Sequence, residues 1–206
     1  MPGRSIGEMP PTITLLSNNS VLVSFSQQDY ATLELKVRLM WDYQSMFAPW
    51  KPIESNVLVG YLCEIAVFEW LKKHGKSVWH NSPLDIVGPD LHVWQGNQKT
   101  ELDVKGQSGK TDKTFTPNDP NKPPATFYCW CSFTEPYPLT KAYGKTTWDK
   151  TPYVWPTQRN VRFGACEVVL ECWSWGAALG VTNGSKVRRC TPGTQQSMPT
   201  LLTSLK

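Results

Sequence analysis

The chain lacks any run of 18 or more apolar residues, so no membrane span is expected. Its opening stretch, MPGRSIGEMPPT, has no apolar h-region, and a secretory signal is not expected either. Six cysteines (Cys63, Cys129, Cys131, Cys166, Cys172, Cys190) occur without a repeated CxxC, which gives neither a zinc-knuckle spacing nor a disulfide framework. Buried, reduced thiols are the simpler reading, and with them a cytoplasmic, intracellular protein. The three histidines, His74, His80 and His92, form no HExxH or HxxxH arrangement. Gly106-Gln107-Ser108-Gly109-Lys110-Thr111 resembles the end of a phosphate-binding loop. Val104 stands where that motif requires its first glycine, and a Pro- and Asn-rich segment follows where a helix should begin. No internal repeat is present.

What remains is a chain of 206 residues with a formal charge of +4, a mildly basic balance that permits a polyanionic partner. Length favours one domain with a substantial core: a loose lead-in at 1–19, a core at 20–185 and a basic tail at 186–206. Ten tryptophans are the larger deviation, and such rings either fill cores or stack on bases. Between 135 and 162, basic and aromatic residues interleave (Lys141, Tyr143, Lys145, Trp148, Arg159), a composition suited to a nucleic-acid groove or to a loop-rich lid. Val21 to Phe25, Thr126 to Phe133 and Val161 to Trp175 read as strands, and Tyr30 to Met46 as a helix. The stretch 106–125 reads as a long surface loop.

The sharpest stretch is Pro89 to Gln107. Two segments of alternating character flank Gln95-Gly96-Asn97-Gln98, a hairpin signal with Gly96 and Asn97 as the loop. That register sets Asp90 directly opposite Asp103, with Lys105 on the same face two residues on. Leu91, Val93, Leu102 and Val104 take the other face, and His92 shares the charged one. Facing carboxylates repel, and a hard divalent cation is a natural compensation. Asp85 is a second candidate for the first acidic position, but the same register carries it past the hairpin, opposite Ser108.

Upstream, a helix is predicted from Ser55 or Asn56 to His74, stopped by Gly75. Glu64 falls within its apolar stripe, among Val57, Gly60, Tyr61, Val67, Phe68 and Leu71. A carboxylate there needs a charged partner or a cation. Glu69 lies round the cylinder towards solvent.

A helical Glu64, then Pro89-Asp90, a turn, and Asp103-Val104-Lys105 resemble, in order and spacing, the PD-(D/E)xK nuclease superfamily of restriction endonucleases and junction resolvases. The resemblance spans residues 55–134, with Asp in place of the commoner Glu before Lys105. It implies an α/β (α+β) restriction-endonuclease-like fold, a mixed central sheet flanked by helices. It further implies Mg²⁺- or Mn²⁺-dependent hydrolysis of phosphodiester bonds in DNA. Glu64, Asp90, Asp103 and the Val104 carbonyl would hold metal, and Lys105 would act on the attacking water, with Gln107 a further polar position. An RNA-cleaving nuclease of the same fold, or an inactive nucleic-acid-binding protein, is the alternative. Symmetric double-strand cutting would call for a homodimer.

Overall fold

Alternating burial along short, β-branched and aromatic segments builds the centre of the molecule. In a computed structural model, residues 11–26, 54–81, 88–107, 113–115, 124–133, 166–181 and 187–205 are described. Their main element is a mixed sheet made from β1 (Thr12–Leu15), β2 (Val21–Phe25), β3 (Ser77–His80), β4 (Leu91–Gln95), β5 (Gln98–Gln107), β7 (Phe127–Phe133) and β8 (Cys166–Trp175). The order across it is β1-β2-β8-β7-β5-β4-β3, with β11 (Gln196–Ser197) pairing β8 off that path. Every neighbouring pair is antiparallel except β5 and β7, which run parallel. A second, small sheet joins β6 (Thr114–Phe115), β10 (Arg188–Arg189) and β9 (Gly180–Val181).

Helix α1 (Glu54–Lys73) lies on one face of the large sheet, and α2 (Met198–Ser204) shares that face. Leu62, Ala66, Val67 and Leu71 of α1 and Leu201 of α2 form one buried cluster with Val23, Leu91, Val93, Leu102, Val104, Val168 and Leu170 of the strands. Burying side chains of this size stabilises the fold by roughly 1.5–3 kcal/mol each. Gly75, at φ +74°, ends α1: its N–H donates to Lys72 O at 3.0 Å, and Lys76 N–H to Leu71 O at 3.1 Å. This is the left-handed closure expected of a glycine just past a helix.

The opposite face differs from the expected arrangement. Both helices of the described residues sit on one side, and the other side carries the small sheet, with Phe115, Ala125, Tyr128, Trp130, Cys172, Leu179 and Cys190 packed together. The mixed α+β class holds, but the two faces are covered by different layers. Two boundaries also move. Residues 12–15, placed in the loose lead-in, form β1, and the stretch read as a basic tail supplies β10, β11 and α2. Met198 and Leu201 are fully buried there, so apolar spacing outweighed the polar composition. Within the stretch read as a loop, β5 runs on to Gln107 and β6 forms at Thr114–Phe115. The helix read at Tyr30 to Met46, Asp85, and the basic and aromatic stretch 135–162 lie outside the described residues. The cysteines that are described (Cys63, Cys129, Cys131, Cys172, Cys190) are buried free thiols, as read. Among the described residues no helix is long and apolar enough to cross a membrane.

Gly176 marks the tightest approach between chain segments. A Cβ there would lie 1.9 Å from the Ala125 carbonyl oxygen, while the Gly176 N–H donates to Thr126 O at 3.0 Å. Backbone cannot give way as a flexible side chain does. Gly176→Ala is expected to destabilise the protein by about 2 kcal/mol or more, in the upper range for overpacking, read as a lower urea midpoint.

Candidate active site

The hairpin turn fixes the register from which the site follows. Gly96 adopts φ +56° while Asn97 does not take a positive φ, the signature of a II′ turn with glycine first. Gln95 then pairs Gln98, and the ladder continues through Trp94 with Lys99, Val93 with Thr100, His92 with Glu101 and Leu91 with Leu102. One step further along the same register, Asp90 meets Asp103.

Asp90 immediately precedes β4 and is tied down on both sides. Asn81 donates its N–H to Asp90 O (3.0 Å) and its side-chain amide to Pro89 O (2.9 Å). On the other side the Asp90 carboxylate accepts the Val104 N–H at 2.6 Å. The β4 ladder with β5 ends at Leu91, whereas β5 continues to Gln107 with β7 along its other edge. In an extended strand a residue's N–H and C=O leave on the same edge. The Val104 carbonyl therefore faces the Asp90 edge, away from β7.

Asp103 and Lys105 share a strand face and a 2.8 Å ion pair from Lys105 Nζ to Asp103 Oδ1. The ammonium also lies 5.1 Å from the centroid of the Phe115 ring, which stacks on Tyr128. Burial alone would lower the Lys105 pKa, but Asp103 and Asp90 outweigh it and hold it above the ordinary lysine value. Asp90 is displaced upward as well, which in a carboxyl disfavours the charged form. Burial, then the negative charges of Asp103 and Glu64, push its pKa well up, with Lys105 opposing. A hydrogen bond joins the Asp90 and Asp103 side chains and adds to the upward push on Asp90.

Glu64 stands on α1 and acts electrostatically on Asp90. Its Oε2 accepts the Nε2–H of His80 at 2.7 Å, and both side chains are 18% exposed. Tyr61 meets the His80 ring edge-on at 5.4 Å, with Phe68 at 6.3 Å. Burial and Glu64 together raise the Tyr61 pKa to about 12. His80 is the site residue that sequence reasoning missed. Its signal was the alternation Ser77-Val78-Trp79-His80, which places His80 inward with Val78 and opposite Leu91, next to Asp90. His92 shares the charged face as expected, opposite both Trp79 and Glu101. Gln107 ends β5.

Among the described residues no three His, Cys, Asp or Glu side chains are already gathered into a metal cage. Lys105 pairs with Asp103, the Val104 N–H bonds Asp90, whose charged form burial disfavours, and His80 holds Glu64. The donor set nonetheless suits a hard cation: two adjoining carboxyls and a main-chain carbonyl on the β4 side of β5, with a third carboxylate close enough to act on Asp90. By its own strand order the molecule is a mixed α+β protein with a carboxylate and lysine centre where the β4–β5 ladder ends. No protein-family model, curated protein or solved structure matches the chain.

The raised Asp90 pKa has a definite sign in stability. The native state holds that proton more tightly than the unfolded chain, whose Asp titrates near 3.9, so its stabilising contribution is complete below about pH 4 and is lost as pH rises through the native pKa. Asn at this position keeps an oxygen for the Val104 N–H and carries no charge. In chelator, Asp90→Asn is expected to be more stable than the parent at pH 7, with the difference shrinking towards pH 4. A pH-independent difference in urea midpoints would refute the shift.

Proposed function

We propose that this protein is a metal-dependent nuclease of the PD-(D/E)xK kind, hydrolysing phosphodiester bonds in DNA. The observation that carries the reading is the meeting of Asp90 and Asp103 at the end of the β4 ladder, with Lys105 in phase beside them. A restriction-endonuclease-like origin for the α+β fold belongs to the same proposal. It is supported by β5 running antiparallel to β4 and parallel to β7 beneath a helix that carries Glu64.

Asp90, Asp103 and the Val104 carbonyl would hold Mg²⁺ or Mn²⁺, with Glu64 joining directly or through water. When bound, such a cation lowers the pKa of a coordinated water and offsets charge on the phosphate oxygens. In the reaction a water oxygen forms a bond to phosphorus as the bond to the leaving sugar oxygen breaks, and that oxygen gains a proton. Lys105 contributes charge. Its raised pKa keeps it an ammonium at neutral pH, so it stabilises the crowded negative transition state and orients water, and does not serve as the base. Phe115 over its Nζ restricts where that charge can move.

Plasmid, single-stranded and branched DNA, and RNA, incubated with Mg²⁺, Mn²⁺ or chelator, test the proposal. Cleavage is expected with either metal, none in chelator, and a loss of about 10²–10³-fold in Asp103→Ala and Lys105→Ala, the scale for removing one charge-stabilising group. Undiminished cleavage in either variant overturns the assignment. Cleavage of RNA alone would reassign the substrate, and binding without cleavage would leave a nucleic-acid-binding protein.

A further inference from the structure

The face of the sheet that carries Asp103 and Lys105 continues beyond them. Residues directly opposite one another on neighbouring strands share a face. Trp79 is paired with His92, His92 with Glu101, and Trp94 with both Ser77 and Lys99. Alternation along β4 and β5 then puts Trp79, His92, Trp94, Lys99 and Glu101 on the face of Asp103 and Lys105. Val78, Leu91, Val93, Leu102 and Val104 turn to the helical face, where the last four are buried.

The two tryptophans are not buried. Trp79 is 59% exposed and Trp94 42% exposed. The small sheet covers another part of this face, where Phe115 rests on Tyr128 and Trp130. A single exposed tryptophan calls for no explanation. Here two lie on adjacent strands as diagonal neighbours, roughly 7–8 Å apart by strand geometry. Trp79 is level with Glu101, two residues along β5 from Asp103 and two strands across, which places it roughly 12 Å from the carboxylate centre. At about 3.4 Å per stacked nucleotide, that separation spans three to four nucleotides. Lys99 stands beside Trp94, and its ion pair with Glu101 at 3.7 Å mutes the Glu101 carboxylate, which lies between the rings and the site.

We infer that Trp79 and Trp94 form a base-stacking platform that leads an unpaired nucleic-acid strand into the site, with Lys99 and Lys105 facing its phosphates. The inference rests on the nuclease reading and adds a substrate class to it. An exposed indole gains stacking energy only from a base whose π-face is free. Bases in an intact duplex already stack on their neighbours, whereas a single strand, or the unpaired arm of a branched duplex, presents them.

Fluorescence anisotropy with labelled oligothymidylate of about 15 nucleotides, near the upper end of single-strand site sizes, tests it beside a duplex of equal length. Ca²⁺ would replace Mg²⁺ to neutralise the carboxylates. Trp79→Ala and Trp94→Ala should each weaken single-strand binding about tenfold, the effect of losing one stacked base. Trp79→Phe and Trp94→Phe should restore most of it, duplex affinity should change less than twofold, and thermal melting should match the parent. Equal binding of oligothymidylate by the parent and both Ala variants overturns the platform and leaves the nuclease reading standing. Equal weakening for duplex overturns the strand preference. No binding of any nucleic acid by the parent overturns both readings. Self-association abolished by the Ala variants, with oligonucleotide binding intact, would give this face to a second copy of the chain.

Discussion

A two-residue turn sets the chemistry of this molecule. With Gly96 and Asn97 closing the β4–β5 hairpin, Leu91 meets Leu102 and Asp90 meets Asp103. The side-chain period of a strand is two, so a slip of one residue would send Asp103 and Lys105 into the helical core and bring Leu102 and Val104 out. That exchange would bury two charges and expose two leucine-sized surfaces. The apolar face packed beneath α1 thus holds the charged face in place above it.

The site also shows how a protein can keep carboxylates close together. Asp90 is secured by the Val104 N–H, with burial and its neighbours disfavouring its charged form, Asp103 by the Lys105 ammonium, and Glu64 by His80. Each compensating group supplies positive charge or a hydrogen where a cation would otherwise do so. Phe115 and Tyr128 limit the freedom of the lysine without removing its charge, which keeps it beside the two aspartates.

The small second sheet gives the two faces of the large one different work. On the helical face, α1 and α2 exclude water from the apolar rows of five strands. On the other, β6, β9 and β10 cover β7 and β8 through Tyr128, Trp130 and Cys172. The β3–β4 part of that face keeps its tryptophans in solvent, next to the charged centre.

Much of the site was legible in the sequence because it depends on local rules. Turn chemistry gave the hairpin register, strand alternation gave the face shared by Asp103 and Lys105, and helical spacing marked Glu64 as an anomaly within an apolar stripe. Gly75 marked the helix end for the same kind of reason. The partner of Glu64 was not legible, since His80 reaches it only because β3 folds alongside β4, and no local pattern records that. Nor was the order of the packed C-terminal segment, where three apolar residues, Met198, Leu201 and Leu205, outweigh a polar surrounding once a sheet is there to receive them. The sequence alone determined which side chains share a strand face, because alternation is fixed by the backbone. Tertiary structure decided which faces meet, which carboxyl has its pKa pushed up and which tryptophans stay in water, because burial and charge compensation come from residues distant in the chain.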